Sequence, residues 1–71
     1  MDIKKEVGKR LKDSRQAAGY TQAQVAKMLL MTQQQYSRFE NGIFELNYSQ
    51  IIALCKLYDI SADYLFDLNV F

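Results

Sequence analysis

The alternation of polar and apolar residues predicts a series of short helices, each starting at a polar cap. Three times a Thr or Asn is followed three residues later by Gln, with apolar residues on both sides of the cap. This is the pattern of a capping box with a hydrophobic staple. The three caps are Thr21, Thr32 and Asn47. Ser61 offers a fourth cap without the Gln, and Gly19 and Gly42 stand where helices would end.

These start and stop signals predict five helices, near residues 2–18, 21–29, 32–41, 47–58 and 61–67. Apolar residues recur within them at helical spacing, as in Ile3, Val7 and Leu11 of the first helix. The fold class is therefore expected to be all-α.

Only two residues separate the second predicted helix from the third, so the two must cross steeply, and Ala26 provides the small residue that a close crossing requires. From Gln22 to Asn41 the apolar positions follow the helix-turn-helix pattern. These positions are Val25, Leu29, Met31, Tyr36 and Phe39. A generic helical hairpin is the alternative interpretation.

Length and composition limit the remaining possibilities. The 71 residues suit one domain, 1–71, with one thin core. Cys55 is the only cysteine and histidine is absent, which argues against an internal disulfide and against a zinc site with the usual ligands. We expect no metal and no cofactor. We expect no enzyme activity, because there is no Gly-rich phosphate loop and no nucleophile beside a base. Neither a signal peptide nor an apolar run long enough to span a bilayer occurs, so we expect a cytoplasmic protein without a membrane partner.

The charges are unevenly distributed, although the formal net charge is only +1. Residues 1–39 contain eight Lys or Arg and three Asp or Glu, whereas residues 40–71 contain one Lys and five Asp or Glu. A basic first part is what a domain that presents one face to phosphates would need.

Four short motifs resemble the Cro and phage-repressor-like family, often called XRE. They begin at Gly19, Thr32, Arg38 and Tyr58, and read GYTQ, TQQ, RFENG and YDISADYL. The resemblance covers about residues 3–66. It implies a compact five-helix domain of the lambda-repressor-like type, in which the recognition helix, here 32–41, lies in the major groove of double-stranded DNA. It also implies a homodimer on a symmetric operator and a role as a transcriptional regulator, with repression as the expected mode of action.

The recognition helix carries the candidate base contacts. Amide side chains at the start of an exposed helix offer a donor and an acceptor to adenine, which favours Gln33 and Gln34. Arg38 lies one turn beyond Gln34 and suits guanine or a phosphate, and Ser37 is close enough to contribute. The alternative for each is an ordinary solvated side chain.

Phosphate contacts are expected at the flanks of the motif. Gln22 matches a family position that contacts phosphate, with Thr21 beside it as the cap, and Asn41 resembles the family's phosphate-binding residue after the recognition helix. Lys4, Lys5, Lys9, Arg10 and Lys12 add attraction or form a solvated face.

Arg15 continues the apolar stripe of the first helix and would face the core, where it needs an anion. Glu40 matches the family's partner for this position. We therefore expect a partly buried ion pair of architectural importance between the first and third helices.

The sequence departs from the family pattern in the turn and after the motif. Leu30 stands where a left-handed glycine is usual, which predicts strain or a different turn. Ile43, Phe44 and Glu45 replace basic or small polar residues, so DNA affinity would be modest or the loop would serve a dimer contact. The apolar residues near the end are candidates for a partner surface or for the core: Phe66, Leu68, Val70 and Phe71. The alternative function is a protein-interaction or antitoxin-like partner domain that binds DNA weakly.

Overall fold

The computed structural model describes residues 2–68, and these form five α-helices and no strand. The helices are α1 (Ile3–Ala18), α2 (Gln22–Met28), α3 (Gln33–Glu40), α4 (Tyr48–Tyr58) and α5 (Ala62–Phe66). The predicted all-helical fold with five helices is confirmed. Within the described residues no helix has the length and apolar character that crossing a membrane requires.

All four predicted caps form, and they fix where the helices begin. Thr21, Thr32 and Asn47 each make a complete capping box with the Gln three residues later, and the Ser61 hydroxyl accepts from the Tyr64 N–H. Each cap residue lies just outside its helix, so α2 to α5 begin one residue later than predicted. The sequence analysis missed the cap of α1, which is Asp2.

The core contains at least one fully buried side chain from every helix: Leu11, Val25, Tyr36, Leu54 and Leu65. Helix α1 packs against α3, α4 and α5, and α2 packs against α3. Ile3 was predicted to continue the buried stripe of α1, but it is 56% exposed because it lies at the rim of an apolar cleft.

Helix α1 crosses α3 so closely at Gly8 that no side chain fits there. A Cβ atom at this position would lie 2.6 Å from the Phe39 carbonyl oxygen and would also meet the carbonyl of Glu40. Both obstacles are backbone atoms of α3, which cannot swing aside as a side chain can. Gly8 therefore sets the distance between the two helices, a role that the sequence analysis did not assign.

The sequence predicted either backbone strain at Leu30 or a different turn between α2 and α3, and the structure shows the strained conformation. This residue has a φ of 57°, and its side chain is 93% exposed. The Leu30 N–H donates to the Lys27 carbonyl and the Met31 N–H to the Ala26 carbonyl, which is the Schellman arrangement that ends a helix. A left-handed conformation costs a residue with a Cβ roughly 1–2 kcal/mol.

The apolar residues near the end of the chain differ in how far they are buried. Phe66 is half-buried and packs against the core, whereas Leu68 is exposed. Val70 and Phe71 lie outside the described residues, so their predicted part in a partner surface stays a prediction.

Candidate nucleic-acid interface

The first turn of α3 presents two adjacent amide side chains to solvent. The Thr32 hydroxyl accepts from the Gln35 N–H at 3.1 Å, and the Gln35 side chain accepts from the Thr32 N–H at 2.9 Å. Gln33 and Gln34 are exposed, and neither side chain makes a hydrogen bond to another residue of 2–68. The capping box thus holds one Gln against the helix and leaves the other two accessible.

The second half of α3 holds its polar side chains against neighbouring residues. The Arg38 guanidinium lies over the Phe44 ring, with Cζ 5.4 Å from the ring centroid. Asn41 Nδ2 donates to Ser37 Oγ at 3.2 Å, and Ser37 and Arg38 are both half-buried. The four candidate base-contacting residues thus lie on one short helix, but only the first two are exposed: Gln33, Gln34, Ser37 and Arg38.

Arg15 and Glu40 form a buried ion pair that joins α1 to α3. Arg15 Nε donates to Glu40 Oε2 at 2.7 Å, and a terminal nitrogen of the same guanidinium donates to Oε1 at 3.2 Å. The other terminal nitrogen donates to the Tyr20 carbonyl at 3.0 Å, so the guanidinium also anchors the segment that leads into α2. This two-pronged geometry is the strong form of an arginine–carboxylate contact.

The pair shifts the titration of both groups. Burial by itself would raise the pKa of the Glu40 carboxyl, but the hydrogen bonds from Arg15 and Gln22, together with the nearby Tyr36 hydroxyl, outweigh burial and hold the pKa below its usual value. The hydrogen bond to Glu40 raises the pKa of Arg15 against the opposing effect of burial. Both groups therefore stay charged at neutral pH.

Gln22 makes a contact that the sequence analysis did not predict. Its side-chain Nε2 donates to Glu40 Oε1 at 2.9 Å, and the residue is half-buried. The side chain predicted to contact phosphate thus also ties the start of α2 to the ion pair, and its phosphate contact stays a prediction. Thr21, the cap beside it, is exposed, and so is Asn41 at the other end of the motif.

A pair of buried tyrosine hydroxyls extends this polar network into the core. Tyr36 Oη lies 2.6 Å from Tyr58 Oη, which links α3 to α4. Burial raises the pKa of both phenols, that of Tyr58 to about 12, so both hydroxyls are neutral hydrogen-bonding groups at neutral pH. A signal was present, since both tyrosines occupy apolar positions on helices predicted to pack, where Phe would be expected unless the hydroxyl had a partner.

The basic residues of α1 contribute unequally to the surface charge. Arg10 lies 3.7 Å from the Glu6 carboxylate and 3.6 Å from that of Asp67, so its charge is partly balanced. Lys5, Lys9 and Lys12 are exposed. Long-range attraction of a polyanion would therefore come from the lysines more than from Arg10.

Comparison with known proteins matches this architecture. Residues 11–65 match the model of the helix-turn-helix family, and they include α2, the turn at Leu30 and α3. The chain belongs to the helix-turn-helix family. This match confirms the resemblance on which the sequence analysis relied.

A relative is the HTH-type transcriptional regulator ImmR of Bacillus subtilis (strain 168). It is 39% identical over 59 residues, which cover 83% of this chain and 46% of ImmR. The match thus spans less than half the length of this helix-turn-helix relative.

Proposed function

We propose that the protein binds double-stranded DNA in a sequence-specific manner and acts as a transcriptional regulator, most simply a repressor. The observation that carries this proposal is the pair of adjacent exposed amides of Gln33 and Gln34 at the start of α3. They lie on a helix that the buried Arg15–Glu40 pair fixes in the fold. Such a helix supplies what base reading needs, which is polar side chains on a rigid element.

Each predicted site residue has a defined part in this proposal. Segment 32–41 enters the major groove, Gln33 and Gln34 read bases, Arg38 reads guanine, and Ser37 assists. Thr21, Gln22 and Asn41 face the phosphates. Asn41 Nδ2 keeps a second hydrogen beyond the one it gives to Ser37. Gln22 Nε2 likewise keeps a second hydrogen beyond the one it gives to Glu40, and this hydrogen can be donated to a phosphate oxygen.

The family also supports binding as a homodimer. Helix-turn-helix dimers place their two recognition helices one helical turn apart on DNA, about 34–36 Å. A full palindrome should therefore bind far more tightly than an isolated half-site. Equal affinities for the two duplexes would contradict the dimeric part of the proposal.

The decisive experiment enriches random duplexes on the purified protein and then measures affinity for the selected site at several salt concentrations. We expect one preferred sequence with two symmetric half-sites, and an affinity that falls steeply as salt rises, because phosphate contacts release counterions. Enrichment of no sequence together with a flat logarithmic salt plot would contradict the proposal.

A second candidate function is a protein-interaction or antitoxin-like partner domain. The loop after α3 favours it, since Ile43 is 55% exposed and Phe44 46% exposed in a region where phosphate-binding residues would be polar. Failure to select any duplex would support this alternative.

A further inference from the structure

Phe44 is an unusual residue for a loop beside a DNA-reading helix. Its ring is 46% exposed, yet its inner side lines two clefts, one beside Val7 and Ile51 and the other beside Met31 and Gln35. The ring therefore lies between the two clefts and is partly exposed to solvent. The Arg38 guanidinium lies over this ring.

Backbone hydrogen bonds also connect the loop that carries Phe44 to Arg38. The N–H groups of Ile43 and Phe44 both donate to the Arg38 carbonyl, at 2.9 and 3.3 Å. Gly42, with a φ of 71°, turns the chain back toward α3. These hydrogen bonds hold the backbone of the loop against the end of α3, where the Phe44 ring lies close to the Arg38 side chain.

An arginine held over an aromatic ring keeps its ability to read a base. A guanidinium within about 6 Å of a ring centroid is attracted to the ring face. A guanidinium carries five N–H donors, and the Arg38 side chain makes no hydrogen bond within the described residues, so donors remain for guanine O6 and N7. Holding the side chain in place also reduces the rotamer entropy that an arginine loses when it binds.

We infer that Phe44 is a positioning residue for sequence readout, which holds the Arg38 guanidinium where it selects one guanine. This inference rests on the proposed function. Phe44 itself contacts no base in this scheme, and its effect passes through Arg38 alone. It also explains the apolar residues of the loop without assuming either a modest affinity for DNA or a dimer contact.

The test compares three variants for relative affinity to the selected duplex and its single-base-pair variants. Arg38→Ala identifies the base pair that Arg38 reads. Phe44→Leu keeps an apolar side chain but removes the ring face, and should lower the preference at that base pair about 2- to 5-fold, as expected for an exposed cation–π contact. Phe44→Tyr keeps the ring and should retain the preference. All three should keep the preferences at the base pairs assigned to Gln33 and Gln34.

Two controls separate positioning from a general effect on structure. In the Arg38→Ala background, Phe44→Leu should change no base preference further. Ile43→Ala changes the neighbouring exposed apolar side chain and should leave the preference at the Arg38 base pair intact. Thermal unfolding of each variant verifies that it is folded at the temperature of the binding measurement.

The outcomes that overturn the inference differ from those that overturn the proposed function. If the wild-type protein selects no duplex, the proposed function fails and this inference fails with it. Suppose that the wild-type protein selects a site but the folded Phe44→Leu variant keeps the full preference at the Arg38 base pair. Then only the inference fails. The same holds if Phe44→Leu lowers base preferences equally in the wild-type and Arg38→Ala backgrounds. The inference also fails if Arg38→Ala changes the preference at no base pair.

Discussion

The two ends of α3 are built for different tasks. At its start, Gln33 and Gln34 are exposed and make no side-chain hydrogen bond within the described residues. At its end, Glu40 is tied to α1 and α2, Arg38 lies over Phe44, and Asn41 bonds back to Ser37. The helix is thus anchored at one end and open at the other. The contrast teaches that a helix of only eight residues can be fixed at one end and still expose two polar side chains at the other.

The largest predicted effect comes from removing the anchor. Arg15→Met leaves the Glu40 carboxylate buried without its partner and should lower the free energy of unfolding by about 3–5 kcal/mol. Urea denaturation measures this loss. Arg10→Met is the matched control on the same helix, because its pairs with Glu6 and Asp67 lie at the surface and should contribute less than about 1 kcal/mol. If both variants lose similar amounts of unfolding free energy, the buried Arg15–Glu40 pair stabilises the fold no more than the surface pairs do.

The same anchor should weaken in acid. The pKa of Glu40 is lower in the folded protein than in the unfolded chain, where a glutamate has a pKa of about 4.3. Its stabilisation is therefore present above the unfolded value and is lost as pH falls through the folded one. The stability difference between wild type and Glu40→Gln should be constant near neutral pH and should shrink below about pH 4. A difference that does not change with pH would contradict this assignment.

The open end should affect binding and not stability. Gln33→Ala or Gln34→Ala should cost about 1–3 kcal/mol on the preferred site and relax the preference at one or two base pairs, with affinity for random duplexes nearly unchanged. Thermal unfolding should stay near wild type, because the Thr32 cap remains. If both folded variants keep the wild-type preference, base reading by these residues is wrong.

Gln22→Ala is the matched variant at the start of α2. It should weaken binding to specific and random duplexes by similar factors, because phosphate contacts carry no sequence information. Unlike the α3 variants it should also lower stability, since the Glu40 carboxylate loses a hydrogen bond, a loss of about 1.5–3 kcal/mol for a charged acceptor. A selective change in base preference would contradict the backbone role.

The smallest predicted effect concerns the turn that leads into the open end. Leu30→Gly should raise the stability by about 0.5–1 kcal/mol, because relief of the left-handed strain exceeds the added flexibility of the unfolded chain. Its side chain is almost wholly exposed, so little packing is lost. Leu30→Ala is the control, since it keeps the strain and should give no gain. Equal stabilities of the two variants would show that φ at this position is not the cause.

The sequence predicted the parts of the molecule that depend on neighbours in the chain. The boxes at Thr21, Thr32 and Asn47 need only residues three apart, and all of them form. The partner of Arg15 came from the family pattern. The contacts from Gln22 to Glu40 and between Tyr36 and Tyr58 join residues 18 and 22 positions apart, so they depend on how the helices pack.

The loop residue Phe44 shows a different limit of sequence analysis. The sequence shows that Phe44 departs from the family pattern, but the contact of its ring with Arg38 depends on how the chain turns back after Gly42. Local propensity does not specify the path of such a loop. The departure of Phe44 from the family pattern therefore indicated that this position is special, but only the structure shows that its ring lies beside Arg38.

The crossing at Gly8 has a consequence for how this protein can vary in evolution. Most of the exposed face of α1 can accept many residues, since Lys9, Lys12 and Asp13 point to solvent. At position 8 even alanine would collide with the backbone of α3. In a saturation library selected for folding, we expect position 8 to remain glycine while its neighbours diversify. The geometry of the reading helix is thus protected by a position that has no side chain and touches no DNA in the proposed complex.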